Sequence, residues 1–311
     1  MKVLILGAGA VGGYIGAKLQ SAGVDVLFVV RGARLASLRD GELIVRSPLG
    51  DVARPVAAVE APVAGYAPDV VVLACKAPAL EGALDAVGPS IGPGTRVLPF
   101  LNGITHLRAL GARFPQAEIL GGIVHGAVAL NEEGVIEHLT PFFSVIVGSE
   151  STPADPVAAD LVRLLEAAGV DARLSRDIRQ DMWNKFVFLT TLAGITCLMR
   201  ASIGTIVATD DGRDLIVRLL EECRSVARAE GSQPDEAAMA SYARSLTERG
   251  STFTSSMLRD VLGGRPTEAD HILGDMLRRA RRHGLDTPML VTAHAHLQCL
   301  DVMRGVVSIG A

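Results

Sequence analysis

The stretch VLILGAGAVG, residues 3–12, decides the fold of the N-terminal half of this chain. Its first four residues are apolar and predict a buried strand, and a helical pattern over residues 11–22 follows the glycines directly. The pattern G-x-G-x-x-G between a strand and a helix is typical of dinucleotide-binding domains. Its glycines permit a tight turn, close approach of a pyrophosphate to the backbone, and close packing of helix and strand. The predicted cofactor loop consists of Gly7, Ala8, Gly9, Ala10, Val11 and Gly12.

Short apolar runs alternate with helical patterns up to about residue 176, which predicts parallel βαβ units. The predicted strands cover residues 26–30, 70–74, 97–101, several segments within 119–148, and 170–174. A helix is predicted over residues 151–168, and residues 42–46 are predicted to form an antiparallel or edge excursion.

After residue 176, apolar residues recur at helical spacing and strand-like runs are scarce. The predicted fold class is therefore α/β, with a Rossmann-type doubly wound sheet in the N-terminal domain and an all-helical C-terminal domain. We place the domain boundary after residue 176, which gives a dinucleotide-binding domain at residues 1–176 and a helical domain at residues 177–311.

Composition excludes several classes of function. The chain has 311 residues with 30 basic and 34 acidic side chains, which argues against a nucleic-acid partner. The longest apolar stretch, residues 186–199, is shorter than the roughly 20 residues that span a bilayer. The four cysteines lie far apart and lack the spacing of a zinc site or a disulfide framework. We therefore expect a cytoplasmic protein with no membrane partner and no metal.

The residue that follows the second predicted strand indicates which nucleotide binds. NAD-binding domains carry Asp or Glu there to bind the ribose 2′-OH, whereas this chain carries Arg31, with Arg34 three residues later. A guanidinium matches a 2′-phosphate in charge and geometry, so the sequence predicts NADP(H). The alternative is that Arg31 is a solvated loop residue.

Lysine is rare in this chain. The 30 basic residues include four lysines, namely Lys2, Lys18, Lys76 and Lys185. A lysine retained among arginines is a candidate for a role that needs a compact ammonium or an adjustable pKa. Lys76 and Asn102 follow predicted strands, and ligands of open α/β sheets bind at the carboxyl ends of strands. Lys185 lies on a predicted helix. The alternative to a functional role is that this helix packs between the domains and that the lysine only extends its charged end toward water.

Seven motifs give the chain a resemblance to the ketopantoate reductase (2-dehydropantoate 2-reductase) family over nearly its whole length. They are GAGAVG at 7–12, Arg31, CK at 75–76, NG at 102–103, WNK at 183–185, SSM at 255–257 and TEAD at 267–270. The glycine loop is common to many families, whereas the last three motifs are much more specific. The resemblance implies NADPH-dependent reduction of a small 2-oxo acid in a cleft, within pantothenate biosynthesis. It further implies that residues 1–176 bind NADP and that residues 177–311 bind substrate and carry out catalysis.

The resemblance also implies roles for individual residues. Lys185 corresponds to the catalytic lysine that also binds substrate, and Glu268 to a carboxylate at the nicotinamide end, catalytic and cofactor-binding. The remaining implied contacts are Ser256 to the substrate carboxylate, Asn102 to cofactor and substrate, and Lys76 and Ala127 to the cofactor. Because hydride addition to a ketone leaves negative charge on oxygen, an ammonium at that oxygen stabilises the alkoxide and can protonate it.

The departures from the family concern the substrate. Leu189 and Ala193 stand where characterised members carry asparagines that bind the substrate's hydroxyl and carboxylate, and Ile203 stands at a further asparagine position downstream. Our hypothesis is a 2-oxo acid with a less polar tail than ketopantoate. The competing view is that threonines at 190, 191 or 196 supply the lost contacts and the substrate is unchanged.

The sequence is also compatible with two other functions and with a homodimer. The chain is alternatively another hydroxyacid dehydrogenase with a Rossmann and a helical domain, or an NADP-sensing protein without turnover. Apolar residues of the C-terminal helices form a self-association face for a homodimer or, equally well, a core: Leu290, Val291, Leu297 and Leu300.

Overall fold

The computed structural model describes residues 1–62, 65–76 and 79–305. The chain divides into two compact units, of which the first contains Met1–Leu101 and His106–Arg179. The second contains Asn102–Thr105 and the residues from Gln180 onward. An α/β unit followed by a helical unit confirms the predicted fold class. The functional boundary after residue 176 stays a prediction.

The strands lie in the first unit. Their bounds are β1 Lys2–Leu6, β2 Asp25–Val29, β3 Leu43–Arg46, β4 Val52–Arg54, β5 Ala57–Val59, β6 Val70–Leu73, β7 Arg96–Pro99, β8 Glu118–His125, β9 Val128–Leu130, β10 Ile136–His138, β11 Ser144–Ser149 and β12 Asp171–Leu174. The α-helices are α1 Ala10–Ser21, α2 Gly32–Asp40, α3 Leu80–Val87, α4 Thr105–Arg113, α5 Pro156–Ala167, α6 Ile178–Met199, α7 Ile203–Val207, α8 Gly212–Ala229, α9 Glu236–Leu246, α10 Ser256–Leu262, α11 Asp275–Arg282 and α12 Pro288–Met303.

The large sheet has eight strands in the order β12-β11-β8-β7-β6-β1-β2-β5. Strand β1 is parallel to β2 and β6, and its last residue, Leu6, pairs with Val29 on one side and Leu73 on the other. The chain adds strands on one side of β1 and then on the other, so the order reverses there. Ligands of doubly wound sheets bind beyond the carboxyl ends of the strands at such a reversal.

A second sheet has four strands in the order β4-β3-β10-β9. The excursion predicted at residues 42–46 is β3, which is antiparallel to β4. Helix α1 packs closely against this sheet, since a side chain added at Gly13 would come within 2.3 Å of Ile136 in β10. The sequence did not predict the parallel pairing of β3 with β10, because both strands are short and they lie far apart in the chain.

Helix α5 begins later than predicted. We predicted it from residue 151, whereas it spans Pro156–Ala167 with Asp155 as its N-cap. The Asp155 carboxylate accepts a hydrogen bond from the amide of Ala158 at 2.8 Å, and proline is favoured at the first helical position. Asp155 is buried and pairs with Arg96 in β7 at 2.7 Å, which anchors the helix start to the sheet.

The second unit consists of helices around one apolar core, within its described residues. The 14-residue apolar stretch noted at 186–199 belongs to α6, a 22-residue helix. By length and composition α6 would suffice for a membrane span, but 67% of its apolar window is buried inside the protein. Phe186, Val187 and Ile195 lie in the core, so α6 is a core helix.

The proposed self-association face is largely core. Leu290, Leu297 and Leu300 are buried among the helices of their own unit, whereas Val291 is exposed. The structure therefore favours the core interpretation of these residues, and the homodimer stays a prediction.

Candidate active site

Two glycines of the predicted cofactor loop are required by the protein's own backbone. Gly7 has a φ of +99°, which side chains rarely allow. A side chain at Gly12 would lie 2.0 Å from the carbonyl oxygen of Gly7, so α1 could not pack at its present distance. The amide of Gly7 also donates a hydrogen bond to the carbonyl of Val29 at 3.0 Å, which ties the loop to β2.

Gly9 has no such structural requirement. Its φ of −77° is open to any residue, and a side chain added there would meet no protein atom within 4 Å. Gly9 is also the N-cap of α1 and has no side chain with which to cap the first amides. A glycine with open space above it and uncapped helix amides beside it fits an anion that approaches the backbone. The loop therefore fits a dinucleotide pyrophosphate.

The two arginines after β2 have different surroundings. Arg31 is exposed at the N-cap of α2, and its guanidinium lies 3.4 Å from the carbonyl of Gly82. Arg34 instead donates to the carbonyls of Ala8 and Gly134, each at 2.8 Å, and burial lowers its pKa. Arg34 therefore fixes the glycine loop, a role that sequence reasoning missed, and Arg31 is the guanidinium open to solvent.

Lys76 and Ala127 offer the cofactor limited contacts. Lys76 is exposed beyond the end of β6. The amide of Ala127 donates to Thr140 at 3.0 Å, and its carbonyl accepts from the amide of Leu139 at 2.8 Å. Since the Ala127 amide is already used, a cofactor contact there would come from its methyl group or carbonyl.

Lys185 and Glu268, 83 residues apart in the sequence, interact within the second unit. Lys185 is half-buried on α6. Desolvation lowers the pKa of its ammonium to about 8, and the negative charge of Glu268 acts in the opposite direction. A lysine with this pKa is mostly cationic at neutral pH and is a better proton donor than an exposed lysine.

The backbone around Glu268 is held by its neighbours. The Thr267 hydroxyl donates to Asp301 in α12 at 3.2 Å and accepts from the amide of Ala269. A single π-helical turn, Asp270–Gly274, follows and continues into α11. Turns of this kind often occur at functional sites, and here one fixes the segment that carries Glu268.

Asn102 belongs to the second unit by its contacts. A side chain added at Gly103, whose φ is +81°, would come within 3.4 Å of the His271 ring. His271 lies three residues after Glu268, so the Asn102-Gly103 turn packs beside the Glu268 segment. Sequence reasoning missed His271, and its only signal was the spacing from Glu268.

The two serines at the start of α10 differ in exposure. Ser255 is buried and caps the helix, accepting from the amide of Leu258 at 3.0 Å. Its hydroxyl also lies 2.9 Å from that of Thr196 in α6. Ser256, the predicted substrate contact, is exposed at the first position of the helix. The fixed Ser255 thus holds Ser256 at the surface.

Two family models match the chain in order. The model described as ketopantoate reductase PanE/ApbA matches residues 3–150, and the one described as its C terminal matches residues 177–300. The chain belongs to the ketopantoate reductase family. It is therefore an oxidoreductase that binds a nicotinamide cofactor and reduces 2-oxo acids.

Relatives cover nearly the whole length of this chain. An uncharacterized oxidoreductase of Bacillus subtilis is 36% identical over 98% of the chain and 100% of its own length. A 2-dehydropantoate 2-reductase of Mesorhizobium japonicum is 30% identical over 99% of the chain and 100% of its own length. The crystal structure of a PanE/ApbA family ketopantoate reductase from Ralstonia eutropha matches this structure with a TM-score of 0.88 at 25% sequence identity. The match covers 98% of this chain and 100% of that one.

The three positions that depart from the family differ in accessibility. Ala193 and Ile203 are fully buried, and Leu189 is half-buried. The threonines considered as replacements, Thr190, Thr191 and Thr196, have no exposed surface. The last two donate to carbonyls of α6 itself, at 2.9 and 2.6 Å. These hydroxyls therefore do not replace the missing asparagines at the surface.

Proposed function

We propose that this chain uses NADPH to reduce ketopantoate, or a related 2-oxo acid with a less polar tail, to the 2-hydroxy acid. The observation that carries the proposal is the desolvated Lys185 ammonium beside Glu268. The interaction keeps a proton donor charged in partly buried surroundings, as protonation of an alkoxide requires.

The first unit supplies the cofactor contacts in this proposal, apart from those of Asn102 and Glu268, which belong to the second unit. The glycine loop and the first amides of α1 would hold the pyrophosphate, and Arg31 would bind the 2′-phosphate. Lys76, Asn102 and Ala127 would provide further contacts. When bound, the reduced nicotinamide supplies the hydride.

The second unit would act on the substrate. Lys185 would place its Nζ proton at the ketone oxygen and donate it as negative charge develops there. Glu268 would hold the ammonium in place or contact the nicotinamide ribose, and Ser256 would orient the substrate carboxylate. The proton on Lys185 is replaced from solvent after each turnover.

The test is NADPH oxidation, followed by absorbance, with a panel of 2-oxo acids. Lys185→Ala is expected to lower kcat by at least about 100-fold, which is typical for loss of a general acid. Lys2→Ala, which removes an exposed lysine at the N-terminus, is the matched control and is expected to leave kcat unchanged. Tight NADPH binding without turnover of any 2-oxo acid would instead favour an NADP-sensing protein.

We also propose a cytoplasmic location and a role in pantothenate biosynthesis. No disulfide joins the cysteines, all of which lie in the described ranges, and reduced thiols are usual in the cytosol. Within those ranges, no group of three or more His, Cys, Asp or Glu side chains is arranged to hold a metal ion. Rescue of a pantothenate auxotroph lacking its own reductase would test the pathway.

A further inference from the structure

One face of α6 is only half-buried, and its side chains change from polar to apolar one turn after Lys185. Between residues 181 and 197, the half-buried positions are Asp181, Asn184, Lys185, Phe188 and Leu189, and the others are buried. Their spacing of three and four residues places them in a single stripe on the helix. The stripe is polar up to Lys185 and apolar at Phe188 and Leu189.

Two further aromatic rings pack near Phe188, at the apolar end of this stripe. The ring of Tyr242 in α9 lies 5.3 Å from that of Phe188, tilted by 53°. The ring of Phe253 lies 6.1 Å from Phe188 at an interplanar angle of 29°, in a stacked arrangement. Burial, with smaller effects from Asp235 and Asp181, raises the pKa of Tyr242 to about 12, so this ring is neutral.

Phe253 is held in place although it is exposed. Its side chain is 42% exposed, which is unusual for a large aromatic residue. The carbonyl of Phe253 accepts from the amide of Ile203 at 3.0 Å, and that of Ser251 accepts from Gly204 at 2.9 Å. Gly204 packs so closely that an added side chain would lie 2.4 Å from the Ser251 amide nitrogen. Phe253 is therefore presented on a fixed backbone, three residues before Ser256.

We propose that Phe188, Leu189 and Phe253 form a subsite for the tail of the 2-oxo acid, and that an aromatic tail fits it best. The inference rests on the proposed function, in which Lys185 binds the ketone oxygen and Ser256 the carboxylate. A substrate held at those two groups extends its tail along the stripe, over Phe188 and Leu189. A flat ring buries apolar surface there and meets aromatic faces, whereas a hydroxyl loses its hydrogen bonds to water.

Three substrates test this subsite, each assayed by NADPH oxidation. Ketopantoate and 3,3-dimethyl-2-oxobutanoate differ only by the hydroxyl, and phenylglyoxylate carries an aromatic ring. We expect kcat/KM for the dimethyl acid to equal or exceed that for ketopantoate, and kcat/KM for phenylglyoxylate to be at least tenfold higher than either. A hundredfold preference for ketopantoate over the dimethyl acid would overturn the inference.

Variants separate the subsite from general effects on the enzyme. Phe253→Ala is expected to raise KM for phenylglyoxylate by a factor at least ten times larger than the factor for pyruvate, which has no extended tail. Leu262→Ala, which truncates a 65% exposed side chain of the same unit, is the matched control and should change neither value. Leu189→Asn should shift the ratio of kcat/KM values toward ketopantoate. An unchanged KM for phenylglyoxylate in Phe253→Ala would contradict the inference.

The two proposals fail in different ways. If no 2-oxo acid is reduced while NADPH binds, the proposed function is wrong. A different result would overturn only the aromatic subsite. In that case ketopantoate is reduced, kcat/KM for phenylglyoxylate does not exceed that for ketopantoate, and Phe253→Ala leaves KM for phenylglyoxylate unchanged.

Discussion

Lys185 titrates in a range that an enzyme assay can reach. Its pKa is lowered to about 8 because the surrounding protein desolvates the ammonium, while Glu268 limits the shift. The acid form is present below that pH and is lost above it. We expect kcat/KM for reduction to fall as pH rises through about 8, and oxidation of the hydroxy acid, which needs the neutral amine, to rise over the same interval. A reduction rate that is flat to pH 10 would contradict this assignment.

The same lowered pKa makes Lys185 a cost to folding. The pKa of a lysine that is lower in the folded than in the unfolded state means that its charge destabilises the folded protein. The full penalty applies at pH values below the folded-state pKa, and it disappears as pH rises through the unfolded-state pKa. Lys185→Met should therefore raise the free energy of unfolding at pH 7 by about 1–2 kcal/mol, after allowance for its partial exposure. Denaturant unfolding at pH 7 and pH 10 measures the gain, which should shrink at the higher pH. A gain that does not change with pH would point to packing instead of charge.

Variants of Arg31 and Arg34 distinguish an effect on the preference for NADPH over NADH from an effect on the structure of the glycine loop. Arg31 is exposed, so Arg31→Ala should lower kcat/KM for NADPH about tenfold to a hundredfold and leave that for NADH within threefold. Arg34 bonds to the carbonyls of Ala8 and Gly134, so Arg34→Ala should weaken both nucleotides and lower Tm. Steady-state kinetics with the two nucleotides provide the comparison. Equal losses for NADPH and NADH in the Arg31 variant would exclude a 2′-phosphate contact.

The loop between β1 and α1 contains a matched pair of glycines. Gly12→Ala places a methyl group 2.0 Å from a backbone oxygen and should lower the free energy of unfolding by several kcal/mol, on the order of 3–5. Gly9→Ala meets no protein atom within 4 Å, so it should leave stability nearly unchanged and weaken NADPH binding at least tenfold. Thermal unfolding and nucleotide titration measure the two effects. Full NADPH affinity in Gly9→Ala would mean that the pyrophosphate binds elsewhere.

Elements are predictable from sequence where local signals agree. Strand β1, the glycines and α1 follow one another in the order that a dinucleotide-binding turn requires, and the structure has them within one residue of the predicted bounds. The start of α5 was misjudged because Thr152-Pro153 imitates a helix start, whereas Asp155-Pro156 provides the actual cap. The choice between these two signals depends on Arg96, 59 residues away, which no local pattern reveals.

The site is less predictable than the elements because it depends on distant residues. Motifs placed Lys185 and Glu268 among the candidates, but their interaction requires the turn held by Thr267 and Asp301. The contact between Gly103 and His271 joins residues 168 positions apart, and no local pattern links those two positions. Exposure also escaped prediction, since Ala193 and Ile203 looked like pocket residues and are core. Helical periodicity shows which face is apolar, but tertiary packing decides whether that face is covered.

At the scale of the whole molecule, the apolar cores are confined to separate units. One core contains α6–α12 residues together with Ile104, and the other clusters lie within residues 3–174. A ligand that binds only the folded form stabilises it by about 2.7 kcal/mol at 100 times its Kd. Because the glycine loop lies in the first unit, NADPH should raise the unfolding temperature of that unit more than that of the second.

Differential scanning calorimetry combined with hydrogen exchange resolves the two units. Amides of β1 and β6 are expected to gain protection on NADPH addition, while amides of α8 and α12 gain less. Gly9→Ala is the control, since weakened nucleotide binding should remove the gain without changing the unliganded protein. Equal stabilisation of both units, in one transition, would show that they unfold together and that binding energy is shared across the chain.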